Sequence, residues 1–197
     1  DWSLDMVVPG RGQIALNTFH VKGAAHQFEA AGRIDPSDLG GFLDATLRVA
    51  DMKTLGTLVG MELRGSASLD VHVDGNGRTR SASVRVGGNV RSARTGIQPL
   101  DALLSDQTVL NGSADLRDGK DLTLSSLDVK SSSFQLTAEG GMDLPAGKIR
   151  GKWRIQVPRL APIFRDTAGS GEGSLEADGE LSGTLESLDG TAALRGR

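Results

Sequence analysis

Cysteine is absent from the 197 residues, which excludes disulfides, thiol nucleophiles and thiolate metal sites together. Its absence fits either the cytosol or a bacterial periplasm. Tyrosine is also missing, and with five Phe and two Trp the aromatics reach only 4%, so few large anchors are available for a compact core. No run of 18 apolar residues occurs, and no charged leader with an apolar stretch opens the chain; neither a spanning helix nor a signal peptide is read in it. Charge of one sign is lacking too. Lys and Arg number 22 against 25 Asp and Glu, interspersed to a net −3, which leaves no basic stripe for phosphates and makes nucleic acid an unexpected partner.

Glycine, in contrast, is abundant at 27 residues, and strict apolar-polar alternation recurs from end to end. It is clearest in Leu43-Asp44-Ala45-Thr46-Leu47-Arg48-Val49, Leu69-Asp70-Val71-His72-Val73-Asp74, Val84-Arg85-Val86 and Trp153-Arg154-Ile155-Gln156-Val157. A period of two marks half-buried strands. Asp74-Gly75-Asn76-Gly77, Asp118-Gly119-Lys120 and Pro145-Ala146-Gly147 supply the reversals between them. Short helical turns are predicted after Asp51 (Met52, Leu55, Leu58), at Pro99 (Leu100, Leu103, Leu104) and at Pro162 (Ile163, Phe164). The expected fold is all-β, a meander of short antiparallel strands. Because Asp1 to Met6 already alternate like a strand, the chain reads as the middle of something longer, with any targeting or anchoring segment outside it.

The chain also repeats itself. Val21-Lys22 recurs as Val129-Lys130, 108 residues on, and the same offset carries Ala30 to Ala138, Gly32 to Gly140, Asp35 to Asp143, Val49 to Val157 and Gly65-Ser66 to Gly173-Ser174 without a gap. Where identity fails, apolar character often persists: Leu16 with Leu124, Phe28 with Leu136, Leu47 with Ile155, Val73 with Leu181, Val86 with Leu194. Leu69 against Ala177 and Val71 against Gly179 are weaker matches. A one-residue slip would turn every side chain to the other face, so a constant offset implies that both copies present the same apolar face. Residues 1–108 are read as a first β-repeat and 109–197 as a second, incomplete one continuous with it, each of about ten strands on the spacing of strands in a sheet.

Motifs that carry chemistry are sparse. His20, His26 and His72 fall on separate strands or turns without the helical i, i+4 spacing of a zinc pair, and His72 lies on the polar parity as a solvated residue. Gly169-Ser170-Gly171-Glu172-Gly173 leads into a strand, whereas a phosphate loop must open a helix. Gly147-Lys148 is followed by Ile149 where Ser or Thr would hold magnesium. Asp70, Asp74 and Asn76 lack the remaining ligands of a calcium loop. Carboxylates on a solvated parity keep near-normal pKa values and make poor general acids. The reading is therefore non-enzymatic, with no catalytic residues, metal or cofactor.

What remains is the apolar parity: Leu16, Phe28, Leu47, Val49, Leu69, Val71, Val73, Val84, Val86, Leu124, Leu136, Trp153, Ile155, Val157, Leu175, Leu181 and Leu194. No predicted helix is long enough to cover it. Either the sheet folds over itself as a sandwich, or it curls into an open trough that takes apolar guests.

After the turn Leu160-Ala161-Pro162-Ile163, the chain runs Gly173-Ser174-Leu175, Gly179-Glu180-Leu181, Gly183-Thr184-Leu185 and Gly190; the copy from Phe28 to Gly88 follows the pattern more loosely, with Asp51-Met52-Lys53-Thr54-Leu55 at the turn. In this the chain resembles the β-repeat region of the TamB and AsmA-like family. The resemblance implies an elongated sheet curled into a taco-like groove, in a periplasmic protein anchored in the inner membrane of a Gram-negative cell. It also implies phospholipid acyl chains as guests, transport of lipid between the two membranes, and assembly of outer-membrane and autotransporter proteins with a TamA/BamA-type partner bound through other parts of the protein. A monomer is expected. The alternative is a structural or adhesive β-solenoid with a closed core.

Overall fold

Each alternating run becomes one strand, and each cluster of Gly, Asp, Asn or Pro becomes a reversal. A computed structural model describes residues 1–8, 13–53, 56, 62–104, 107–161, 163, 172–184 and 186–197, with backbone alone at 99–100. The strands are β1 (Trp2–Val7), β2 (Ile14–Lys22), β3 (His26–Asp35), β4 (Gly40–Val49), β5 (Arg64–Asn76), β6 (Ser81–Arg94), β7 (Gln107–Arg117), β8 (Asp121–Lys130), β9 (Gln135–Asp143), β10 (Lys148–Val157), β11 (Leu175–Thr184) and β12 (Leu188–Gly196). They form one antiparallel sheet in which every strand pairs with its neighbours in sequence. The sheet is open, with β1 and β12 as its edges. The sandwich alternative is thus not realised, and no second layer closes over the apolar side among the described residues. Accessible surface is correspondingly large at 13007 Å², against roughly 8,900 Å² for a compact chain of this mass.

The sheet has two unlike ends. At one, tight turns join β3 to β4, β5 to β6, β7 to β8 and β9 to β10, and these turns bond to one another. The Arg78 N–H donates to the Asp38 carbonyl (3.0 Å), Gly119 to Arg80 (2.7 Å) and Leu144 to Lys120 (2.8 Å). Leu39, Arg80 and Asp118 take positive φ there, strained for residues with a Cβ. β5 continues through Asp74-Gly75-Asn76, so the reversal falls at 77–80, later than the Asn-Gly signal suggested. At the other end lie the longer connections. Asp51 accepts a bond from the Lys53 N–H (2.9 Å) and Gly56 N–H closes on Met52 (2.9 Å), a helical turn as expected; Leu55 and Leu58 lie outside the described residues. Helix α1 (Gln98–Leu103) occupies the second predicted position. Of the third turn, Pro162 and Phe164 lie outside the described residues.

Spacing by 108 recurs in the geometry. Adding it to β4 gives the bounds of β10. The Gly23 N–H bonds to the His26 carbonyl (2.8 Å) and Ser131 to Phe134 (2.9 Å); Met52 bonds to Gly65 and Leu160 to Gly173, each at 2.9 Å. In β2, Asn17 and Thr18 bulge opposite Ala31; in β8, Ser125 and Ser126 bulge opposite Glu139. One such interval spans six strands, fewer than the ten estimated, because these strands run 9 to 14 residues in all but the first. At β12 the correspondence shifts by two. Leu69 pairs with Gly88 whereas Ala177 pairs with Leu194, so Leu194 answers to Gly88 and not to Val86. An even shift keeps the face.

Small residues do the closest packing. Val49 and Val157 are only 4% and 3% exposed, and no side chain among the described residues is fully buried. The Trp153 indole lies across Gly179, where an added Cβ would come within 2.7 Å of the ring and meet the Thr191 carbonyl. At Gly75 the nearest atom to such a Cβ is 3.8 Å away. Gly179→Ala is therefore expected to cost about 1–3 kcal/mol through overpacking, and Gly75→Ala to be neutral or stabilising by up to about 1 kcal/mol, as read from urea unfolding. The Thr108 hydroxyl is buried and has no hydrogen-bond partner among the described residues; it lies beside Val90 on the adjacent strand. Thr108→Val removes that unpaired group, and its unfolding free energy from urea titration should rise by on the order of 1 kcal/mol; a loss of that size would contradict the assignment.

Candidate functional site

Directly paired residues of an antiparallel sheet share a face, so the pairing register defines ladders of side chains that can be followed from strand to strand. One runs Trp2, Val21, Phe28, Leu47, Leu69, Gly88, Leu110, Val129, Leu136, Ile155, Ala177, Leu194. Two residues further along comes Leu4, Phe19, Ala30, Ala45, Val71, Val86, Gly112, Leu127, Ala138, Trp153, Gly179, Ala192, and then Met6, Leu16, Gly32, Leu43, Val73, Val84, Ala114, Leu124, Gly140, Gly151, Leu181, Gly190. All three ladders cross twelve strands without a polar side chain.

All seventeen predicted apolar-face residues fall on this one face. Fourteen stand in the three ladders, and Val49, Val157 and Leu175 form part of a shorter row beside the first, with Val49 opposite Ala67 and Val157 opposite Leu175. Val49 and Val157 are buried, so they support the face and offer a guest little surface. Phe19 and Leu127 escaped the sequence reading because each stands three residues after its predecessor on the face, Leu16 and Leu124, instead of two. The paired bulges absorb that extra residue. Leu110, Val129 and Leu43 were legible as apolar alternation and simply not singled out. Phe19 and Phe28 meet edge-on, ring centroids 6.0 Å apart. Ile14, Leu16, Ile34, Leu39, Leu43 and Val73 line an apolar concavity of about 340 Å³ near the tight-turn end. A second, of about 660 Å³, centres on Leu124, Gly140, Gly151, Leu181 and Gly190, with Glu139 and Lys152 at its flanks.

The opposite face is polar. Cross-strand ion pairs join Arg48 to Glu29 (3.6 Å), Lys152 to Glu180 (3.2 Å), Arg154 to Glu176 (3.6 Å) and Arg195 to Asp178 (3.3 Å); solvent-exposed pairs of this kind contribute little to stability. His72 is more constrained than a solvated residue. Register places Asp44, His72 and Arg85 opposite one another on β4, β5 and β6. The ring nitrogens meet Asp44 Oδ1 at 2.5 Å and Asp74 Oδ2 at 2.6 Å, Arg85 reaches Asp74 at 3.3 Å, and Phe42 stacks on the ring at 6.4 Å. The residues that evoke a calcium loop are thus engaged elsewhere: Asp70 accepts from Thr46 (2.8 Å), Asp74 holds His72, and Asn76 caps the turn by accepting from the Thr79 N–H (3.0 Å). Among the described residues no group of three or more His, Asp or Glu is placed to hold a metal, and no helix is long and apolar enough to cross a membrane.

No protein-family model matches the chain, and neither a curated protein nor a solved structure does.

The hydrogen bonds that the His72 imidazolium donates to Asp44 and then to Asp74 raise its pKa above the ordinary histidine value, against a smaller opposing effect of burial. A raised folded-state value means that the stabilisation is complete below the unfolded histidine range of about 6.5 and is lost as pH climbs through the folded value. In an NMR titration His72 should therefore titrate above its position in the urea-unfolded chain, and Asp44→Asn should bring it down. The stability gap between the parent and His72→Gln should narrow over the same rise in pH.

Proposed function

We propose that this chain is a β-repeat segment of a TamB or AsmA-like protein, made of two copies of one repeat over residues 1–108 and 109–197. Its sheet curls with the apolar face inward and carries phospholipid acyl chains between the inner and outer membranes of a Gram-negative envelope. In this reading the full-length protein is anchored in the inner membrane, and the segment works in the periplasm without enzymatic activity. The observation that carries the proposal is the continuity of three apolar ladders across all twelve strands. A single binding site needs only a local pocket, whereas an uninterrupted stripe on the order of 50 Å long, at about 4.8 Å per strand, is what a path requires.

Two further points support it. Strongly twisted open sheets of more than about ten strands tend to curl, and bulges in β2 and β8 add local bend. Each methylene taken from water onto the face is worth about 0.8 kcal/mol, so an acyl chain has ample reason to enter while no polar group fixes it at one place. A solenoid with a closed core is less well supported, since the sheet is open and no side chain among the described residues is fully buried. The family's second role, assembly of outer-membrane proteins, would lay a nascent apolar strand on the same face.

Photoreactive side chains in cells test this reading. Leu47 and Ile155 share the first ladder and are partly exposed, which makes them better probes than the buried Val49; Arg48 and Gln156 point the other way. Lipid adducts are expected at Leu47 and Ile155 and not at the two controls. Adducts to polypeptide alone at both inward positions would favour protein assembly, and equal labelling on both faces would end the groove proposal.

A further inference from the structure

The apolar face has two unlike rims. At the end that carries the longer connections, Val49 and Val157 are buried. At the tight-turn end the third ladder is not the last. Two residues beyond it a further row runs from Ile14 and Ile34 through Leu116, Leu122 and Ile149 to Leu188, apolar on every strand from β2 to β12. Ile34 and Leu188 are 52% and 56% exposed there. Apolar side chains are thus withdrawn from water along one rim and left in it along the other, and a contiguous exposed patch of that kind marks a contact site.

One place on the open rim differs from the rest. The concavity of about 340 Å³ lies there, within the range of small-ligand pockets, about 300–1,000 Å³. The 108-residue spacing carries most of its floor into the second copy, Ile14 to Leu122, Leu16 to Leu124, Ile34 to Met142 and Val73 to Leu181, with Leu43 to Gly151 the exception. Its margin is not carried over: Leu39 becomes Gly147 and Arg33 becomes Gly141. Leu39 and Gly147 end equivalent turns with left-handed backbone, φ 53° and 63°, a conformation that glycine takes freely and leucine at a cost. Arg80 takes it as well, but Arg80 keeps a charge in water, whereas Leu39 holds out an apolar side chain that is 66% exposed. Strain kept together with exposed apolar surface points to binding. Arg33 is exposed and, among the described residues, joins no ion pair. Asp35, two residues further along β3, is engaged by the Ser37 N–H (2.9 Å) and hydroxyl (2.6 Å).

We infer that the tight-turn rim is the mouth of the apolar face and that the concavity at Leu39 is its entry site for an anionic amphiphile, the tail on Ile14, Leu16, Leu43 and Val73 and the acidic head beside Arg33. A guanidinium pairs with carboxylate and phosphate alike, so the shared chemistry is an oxyanion on an apolar chain. The inference rests on the reading that this face takes acyl chains, and it adds where they enter.

Dodecanoate, dodecyl phosphate and uncharged dodecanol, titrated into the 197-residue chain and followed by methyl NMR, test it. Both anions should bind several-fold more tightly than dodecanol and shift Ile14, Ile34 and Val73 at the lowest concentrations; the tighter of the two identifies the head. Arg33→Gln should bring the anions down to the dodecanol level. Leu39→Gly should weaken all three several-fold while its urea midpoint stays level or rises. A lower midpoint for Leu39→Gly, affinities that neither variant changes, or dodecanol bound as tightly as the anions would overturn the inference and leave the lipid reading in place. A parent chain that binds none of the three would overturn the lipid reading, and this inference with it.

Discussion

Everything in this structure depends on the sidedness of its strands being kept in register across eleven successive pairings. Side chains alternate with a period of two, so an error of one residue at any pairing would invert the faces of every strand beyond it. The chain tolerates irregularities only of kinds that preserve the face. In β2 and β8 the bulge sets two residues against one, which lets Leu16 and Phe19, or Leu124 and Leu127, both stay on the apolar side although three positions apart. At β12 the slip relative to β6 is two. Register, more than packing density, is what selection on this sequence has to maintain, since among the described residues no large side chain is buried deeply enough to enforce the fold by itself.

This explains what the sequence made legible. Alternation in Leu43 to Val49, Leu69 to Asp74 and Trp153 to Val157 shows both the strand and its face, because a period of two is a local property. The seventeen residues read from it share one face for that reason. Strand number was misjudged, at ten per repeat instead of six, because alternation reports sidedness but not where a long strand ends: β5 and β6 run 13 and 14 residues. Phe19 and Leu127 were missed because a bulge breaks the period, and its cause lies on the facing strand. The burial of Val49 and Val157 is invisible for a similar reason. Each stands three residues before a segment tied back by a backbone bond, Met52 to Gly65 and Leu160 to Gly173, contacts that no local pattern reveals. His72 was placed on the correct face, yet its pairing with Asp44 required knowing that β4 and β5 are neighbours in that register.

Glycine has a second use here beyond turns. Gly32, Gly88 and Gly179 sit on the apolar face beneath a neighbour's side chain, Leu43, Leu69 and Trp153 in turn. With no Cβ in the way, a long side chain lies across the adjacent strand and covers backbone that would otherwise meet water. A single sheet has no facing layer to do this, so part of its own lining must lie flat. The low aromatic content is consistent with the same economy, since the face gains coverage from reach and not from bulk.

These glycines are unevenly distributed, and the asymmetry bears on how a guest would move. In the second and third ladders the first six strands carry Phe19, Leu43, Val71, Val73, Val84 and Val86 with Gly32 alone among them, whereas the last six carry Gly112, Gly140, Gly151, Gly179 and Gly190 around Trp153. Chemistry is uniform along the face, but its relief is not. On the proposed reading, an acyl chain gains similar apolar contact at every strand while lying lower over β9 to β12 than over β2 to β6. A repeat that conserved side-chain size as well as sidedness would offer one depth throughout. Conserving sidedness alone keeps the path continuous and leaves its depth free to vary, and that variation is where preference for one part of the path over another would arise.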